Sequence, residues 1–486
     1  MEQKKRFPGF VGPSYESRAK RFDCQRLVNM YIEVDESGGG KGGETSVLIS
    51  TPGLEFLQTL GVGPIRATYT LSNQQLTYII SGNEVYYISG GSAIPSLVTG
   101  NLQSSTGPIS IKDNGVQLLF VDGTNGYYIT LGDTTLNLIN DPNFYPADTV
   151  TYQDGYFILN ETGTTNFFIS DLYSIDFLPL NQAAKAGNSD ILIAVISNNR
   201  ELYLLGANTT EIWYNQGSSG STPFVRQDGR FSQVGCVAPA SVKVLQESFF
   251  WLGTNAQGGG IVYMLQNAMP TRVSTHAIEY LIQSAGYLAG ATAYSYQQEG
   301  HYFYCLNIPG LPTTLVYDLS TQQWGERQDE MGTARHFGQT HALLNNDHII
   351  GDYRNGNIYR YNLDVHTDNN EAVLRLRQTP HASDSLNNIF YRLFELDCQF
   401  GVGLVDNGTN TGNAVTPRMM LQISRDGGQT FQNPIYGQVG QIGRWQTRCR
   451  WQRLGYGRDF VFRVYCSDPI KIQMLSAYVD AEVGGS

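Results

Sequence analysis

The run TLVYDLSTQQW, from Thr314 to Trp324, decides the fold. Leu315, Val316 and Tyr317 suit a pleated, half-buried surface, whereas Asp318, Ser320 and Thr321 carry short oxygen-bearing side chains that bond the amides of a tight turn. A tryptophan follows at once. The run reads as strand, polar turn and strand, a hairpin of the kind from which propeller blades are built.

The same theme recurs on both sides of it. GNEVYYIS (Gly82 to Ser89), NGYYIT (Asn125 to Thr130), RELYLLG (Arg200 to Gly206), GGIVYML (Gly259 to Leu265) and GNIYRYN (Gly356 to Asn362) are short β-branched or aromatic runs bordered by turn formers. Hairpin turns are signalled by DNG at Asp113 and DG at Asp122. A small sheet of this sort cannot bury both faces until neighbours pack around a ring, and a recurrence of about 40–60 residues fits a β-propeller. The expected fold is all-β, with a propeller of six or seven blades over residues 61–370.

The flanks read differently. Residues 1–60 mix Arg18, Lys20, Arg21 and Arg26 with LVNMYIEV and a Gly-rich insert, SGGGKGGE (Ser37 to Glu44), and read as an N-terminal arm and loop. In that insert Lys41 follows a glycine, but Gly42 and Gly43 stand where a phosphate loop needs Ser or Thr, so a surface loop is expected. Residues 371–486 show longer runs, such as FELDCQF and FVFRVYC, and read as a C-terminal β-sandwich-like domain. Arg448, Arg450 and Arg453 around Cys449 and Trp451 suggest one charged and one apolar strand face, either a salt-bridged interface or a solvated surface.

Composition narrows the function. Charged residues make up 15% of the chain and the net charge is -11, which argues against a protein that grips phosphates through a basic surface, while still letting DNA slide past. Six scattered cysteines without a CxxC pair read as buried free thiols. The start, MEQKKRFPGF, has no apolar run behind its basic cluster, and nothing approaches the roughly 18 apolar residues of a membrane helix. A soluble chain made in a cytoplasm, without membrane insertion, is expected.

No catalytic constellation stands out. Ser424, Asp426, Gly428, Thr430 and Phe431 complete an Asp-box, SxDxGxT[FW], whose aspartate accepts from turn amides and whose glycine permits an unusual backbone; a structural hairpin is expected. Such boxes also occur in sialidase-type propellers, so a carbohydrate-binding or carbohydrate-cleaving (sialidase-like) propeller is the alternative. Its carboxylate candidates, Asp329 with Glu330 or Asp352, lie in turn-rich stretches where acids are common. The seven histidines show no HExxH, and the loop Asp406 to Asn413 lacks an EF-hand's order and closing glutamate, so neither zinc nor calcium, nor any other cofactor, is expected.

FPGFVGPSYESRAKRFDCQRLVNMYIEV followed by TPGL (Thr51 to Leu54), with RFSQVGCVAPASV and FFWLGTN (Arg230 to Asn255), VYDLSTQQW and GNIYRY, resembles the packaged-DNA stabilisation proteins, or tail hubs and nozzles, of short-tailed bacteriophages. The resemblance runs to about Asn362 and weakens beyond. It implies a non-enzymatic virion tail subunit in a homo-oligomeric, six-fold ring below the portal and its adaptor. Such a ring retains packaged DNA, provides the channel for genome ejection, and carries tail fibre, spike or plug proteins. Arg18, Lys20, Arg21 and Arg26, on a basic segment of an acidic chain, are the candidate partner-binding residues.

Overall fold

The computed structural model describes residues 4–37, 45–73, 75–89, 95–217, 222–329, 332–408 and 412–484. The Gly-rich stretch with Lys41, Glu330, and the centre of the 406–413 loop lie outside the described residues.

Among the described residues seven antiparallel blades form the propeller, spanning residues 65–101, 110–138, 150–184, 192–232, 235–272, 292–327 and 338–362, the last two being parts of larger sheets. The expected range of six or seven blades resolves to seven. Each blade is held to the next by its own apolar cluster. Ile158, Phe167 and Ile169 of the third meet Leu202, Leu204 and Trp213 of the fourth, and Tyr203 and Ile212 on the fourth blade's opposite face meet Phe249 and Trp251 of the fifth. A strand sandwiched this way has no polar face, which is why Leu202–Leu205 is an unbroken apolar run. The blades' hairpins turn tightly: Asn199–Arg200, Asn267–Ala268 and Asn345–Asn346 all have positive φ at both positions, the geometry that matches strand twist and favours asparagine.

The deciding run is the hairpin its sequence promised. Thr314–Asp318 pairs with Gln323–Arg327, Tyr317 opposite Trp324. Asp318 accepts from the Ser320 amide (2.9 Å) and the Thr321 hydroxyl (2.9 Å), and the Trp324 indole donates to the Val273 carbonyl (2.8 Å) in the preceding connection.

Ring closure corrects the reading of residues 1–60 as an arm and loop. The fourth strand of the seventh blade is Gly53–Thr59, antiparallel to Asn357–Asn362 and flanked on its other edge by the short Thr367–Asp368. Cys24–Val28 lies between Gln323–Arg327 of the sixth blade and Arg375–Gln378, so one continuous sheet runs from propeller to C-terminal domain. Met30–Val34 and Ser46–Ser50 join the other sheet of that domain, beside Gln473–Val483, Ile389–Cys398 and Cys449–Gly457. The segment looked like an arm because its partners lie hundreds of positions away and its strands are short and charged.

The C-terminal domain is a β-sandwich. Phe394, Trp451 and Met474 of one sheet face Met419, Leu421, Phe462 and Val464 of the other, and Phe7 and Phe10 complete that core. Cys449 and Trp451 point inward while Arg448 and Arg450 face out, as the alternation predicted, and Arg448 pairs with Glu395 in its own sheet (2.6 Å). All six cysteines are buried, and none is in a disulfide.

Candidate functional site

The N-terminal segment crosses the junction of propeller and sandwich, and its polar groups are bound there one by one. Arg377, fully buried, donates from Nε to the Phe10 carbonyl (2.5 Å), from Nη1 to Pro13 (3.0 Å) and Arg26 (3.4 Å), and from Nη2 to Gly9 (2.9 Å) and the Gln25 side chain (2.7 Å). All donors of a guanidinium are thereby used. Gly12 sits so close that a Cβ would lie 2.9 Å from Nη2. Asn29, buried with φ +53°, donates to the Gln328 and Leu374 carbonyls and accepts from the Gln328 amide (3.0 Å).

The four basic residues singled out from sequence have different fates. Arg26 is spent on Glu326 (2.6 Å), which raises the guanidinium's pKa. Burial alone would raise Glu326, but Arg26 and the Ser14 hydroxyl hold it below its ordinary value. Lys20 pairs with Glu16 (2.8 Å). Arg18 and Arg21 are exposed on the loop between Tyr15–Glu16 and Cys24–Val28, next to Phe22, which is 75% exposed.

That loop is fixed from beneath. The Phe22 amide bonds the Ala19 carbonyl (2.7 Å), the Ser17 amide bonds Asp23 (3.0 Å), and His381 bridges the Lys20 carbonyl (2.7 Å) and the Asp459 carboxylate (2.9 Å). Asp459 first, then Cys24, raises the imidazole to about 10. A raised folded-state value means stability that is complete below the ordinary 6.5 and lost as pH climbs towards 10. His381→Ala is therefore expected to lower stability at pH 6 by about 1.5–3 kcal/mol, the range for hydrogen bonds to charged groups, with little loss at pH 10. Urea titrations at both pH values check this, and an equal loss at each would rule out the charged-histidine account.

Cys24, His381 and Asp459 form a Cys–His–Asp line, Sγ to Nε2 being 3.7 Å. The arrangement is a brace: the thiol has no exposure, a Cβ on Gly428 would lie 2.7 Å from it, and Nε2 is engaged by the Lys20 carbonyl. Sequence reasoning had no means of grouping these three residues, since their spacing follows no motif.

The Asp-box caps the hairpin between Arg418–Ser424 and Ile435–Gln438, in the sandwich rather than the propeller. Ser424 donates to Asp426 (2.7 Å) and accepts from the Gly428 amide (2.9 Å), and the amides of Gln429 and Thr430 donate to Asp426 (3.0 Å each). Partial desolvation works against the charge of exposed Asp426, but these bonds, led by those from Thr430, hold its pKa to about 2. Gly428 has φ +81°, and Phe431 lies under the Arg463 guanidinium (3.6 Å). The other carboxylates considered are likewise engaged: Asp329 accepts from the amides of Thr333 and Ala334, and Asp352 from Arg354 and Tyr359. Among the described residues no group of three or more His, Cys, Asp and Glu side chains could hold a metal ion, and no helix is long and apolar enough to cross a membrane.

Two family models match the sequence: "Bacteriophage P22 Gp10, beta-propeller" over residues 6–366 and "Bacteriophage P22 Gp10, beta-sandwich" over residues 375–482. No curated protein matches. Solved structures that match include the Cps50 (Swd1) β-propeller domain of Myceliophteria thermophila, at 6% identity and TM-score 0.43, over 63% of this chain and 99% of that one. The computationally designed Ika8 protein matches at 11% identity and TM-score 0.36, over 63% and 99%.

Proposed function

The chain belongs to the bacteriophage P22 Gp10 family, a family of structural tail-hub proteins, and from that premise we propose that it is a nozzle subunit of a phage tail. Made in the host cytoplasm, it assembles into a six-fold ring below the portal and its adaptor, retains the packaged DNA, and gives the genome its exit channel. The observation that carries this reading is the pair of family matches, which together take in both domains. The architecture supports a mechanical task. One sheet continues from the sixth blade into the sandwich, and buried Arg377 and the Arg26–Glu326 pair tie the N-terminal segment across that junction, so load on one domain passes to the other. A net charge of -11 suits a wall past which DNA must slide.

Electron microscopy tests the reading. Purified protein, alone and mixed with particles lacking it, should give rings with a central channel that seat at the portal vertex and stop DNA leakage. A monomer indifferent to those particles would overturn it.

The rigid loop bearing Arg18, Arg21 and Phe22 is the surface we assign to a neighbouring tail protein, the adaptor being the first to try. Replacing Arg18 and Arg21 by Ser should leave the melting temperature unchanged, since both are exposed, and weaken docking roughly tenfold, or about 1.4 kcal/mol. Undiminished docking by the double variant in a pull-down with the adaptor would remove the assignment.

A further inference from the structure

The propeller axis holds a cavity of about 340 Å³, lined by the innermost strands of all seven blades. Three cations line it: Arg66 of the first blade, spent on the carbonyls of Gly82, Ser104, Thr106 and Gly107, and two lysines from different blades, Lys112 from the second and Lys243 from the fifth. Among the described residues neither lysine makes an ion pair or a hydrogen bond; Lys112 lies over the Tyr69 ring (5.9 Å) and feels the Asp113 charge, which offsets part of its desolvation. The nearest carboxylate in sequence, Asp113, is taken by the Tyr69 and Ser72 hydroxyls and the Gly115 amide. Asp122 and Asp148, also in the lining, are likewise occupied, by Ser104 and by Thr162.

Two hydroxyl groups in the lining point to the same chemistry. Ser110 accepts the Val150 amide (3.1 Å) and Thr151 accepts the Ser197 amide (3.0 Å), and among the described residues neither hydroxyl has an acceptor for its own proton. The cavity thus offers two ammonium groups and two hydroxyl donors, while its carboxylates, Asp122 and Asp148, bond neighbouring hydroxyls and make no ion pair with either lysine among the described residues. Desolvation, with repulsion from Lys112 added, presses Lys243 down to about 8, the direction expected where a cation lacks its counter-charge. Charges removed from water are tolerated when an opposite charge meets them, and oxyanions match ammonium and hydroxyl donors together.

We propose that the axial cavity is a binding site for a phosphate-type oxyanion held between Lys112 and Lys243. The site belongs to the propeller and stands whether or not the chain forms rings. The phosphate group could be free or part of a nucleic acid, and the two sources are separable by experiment.

The test is thermal denaturation and calorimetry of the full chain against inorganic phosphate, with chloride at matched ionic strength as control and a short oligonucleotide as a second arm. Phosphate at a hundredfold its dissociation constant should raise the melting temperature by about 3 °C, a shift that saturates and that chloride does not reproduce. A response to phosphate alone assigns the free anion; a response to both probes extends the site to phosphodiesters. Lys112→Met and Lys243→Met should abolish the response while melting no lower than the parent in chloride, because each removes an unpaired charge. Lys243→Arg should keep it. Absence of a saturable response to either probe, or a response that survives both methionine variants, would overturn the proposal.

Discussion

Removing residues 1–60 should leave a chain that does not fold as a soluble, cooperative unit. The propeller would lose the fourth strand of its seventh blade, Gly53–Thr59, and the sheet joining propeller to sandwich would lose Cys24–Val28 from its middle. Phe7, Phe10, Leu27, Met30, Ile32, Leu48 and Leu54 are buried, and at about 1.5–3 kcal/mol for each side chain their loss amounts to roughly 10–20 kcal/mol. That equals or exceeds the whole net stability of a typical domain, about 5–15 kcal/mol. A gentler version isolates the latch. A Cβ on Gly53 would lie 2.4 Å from the Val365 carbonyl oxygen and 2.5 Å from that of Thr367, so Gly53→Val should force this strand off its neighbours while leaving the rest of the chain intact. Gel filtration and circular dichroism melting would read both. A truncated protein that runs as a monomer and melts cooperatively near the parent temperature would mean that the ring closes without its N-terminal strand.

The same strand explains which parts of the fold were readable. Hairpins are local, so their turn residues and apolar runs declare themselves: Asn345–Asn346, Asp318 with Ser320, and the Asp-box all act within a few positions of chain. The blade number was not readable, because the seventh blade is assembled from residues 338–362 and a strand that precedes the first blade. The family-like blocks became intelligible only in three dimensions. In RFSQVGCVAPASV, Gly235 lies where a Cβ would meet the Gly206 carbonyl oxygen at 2.4 Å, and the Trp251 indole of FFWLGTN bonds the Gly235 carbonyl (3.0 Å). Those residues mark close packing rather than chemistry.

The basic N-terminal residues show where sequence reasoning stopped. Nothing local distinguishes Arg26, whose partner is Glu326, from Arg18, which is exposed. Arg375 and Arg377 flank Leu376 in a strand that alternates like a half-solvated one, yet all residues of Arg375–Gln378 are buried. Their acceptors are mainly backbone carbonyls, which every sequence has and no pattern reveals.

Arg377→Met should therefore be among the most damaging single substitutions in the chain, although it exchanges a long side chain for another of similar reach. The guanidinium stays charged and brings its donors to acceptors at Gly9, Phe10, Pro13, Gln25 and Arg26. Methionine fills part of the volume but leaves these oxygens facing an apolar group, and removing one side of a buried, charged network costs about 3–5 kcal/mol. The loss should appear first where the bonds were. Residues 9–26 would detach and become accessible to protease, and Phe7 and Phe10 would be drawn from the sandwich core. Lysine, with a single charged nitrogen, cannot reach acceptors spread over so wide an arc, so Arg377→Lys should recover only a minor share. Limited proteolysis with mapping of the first cleavage, beside urea titration of the three proteins, decides it. First cleavage elsewhere, or a loss below about 1 kcal/mol, would show that the strand pairing of Cys24–Val28 holds the segment without the arginine.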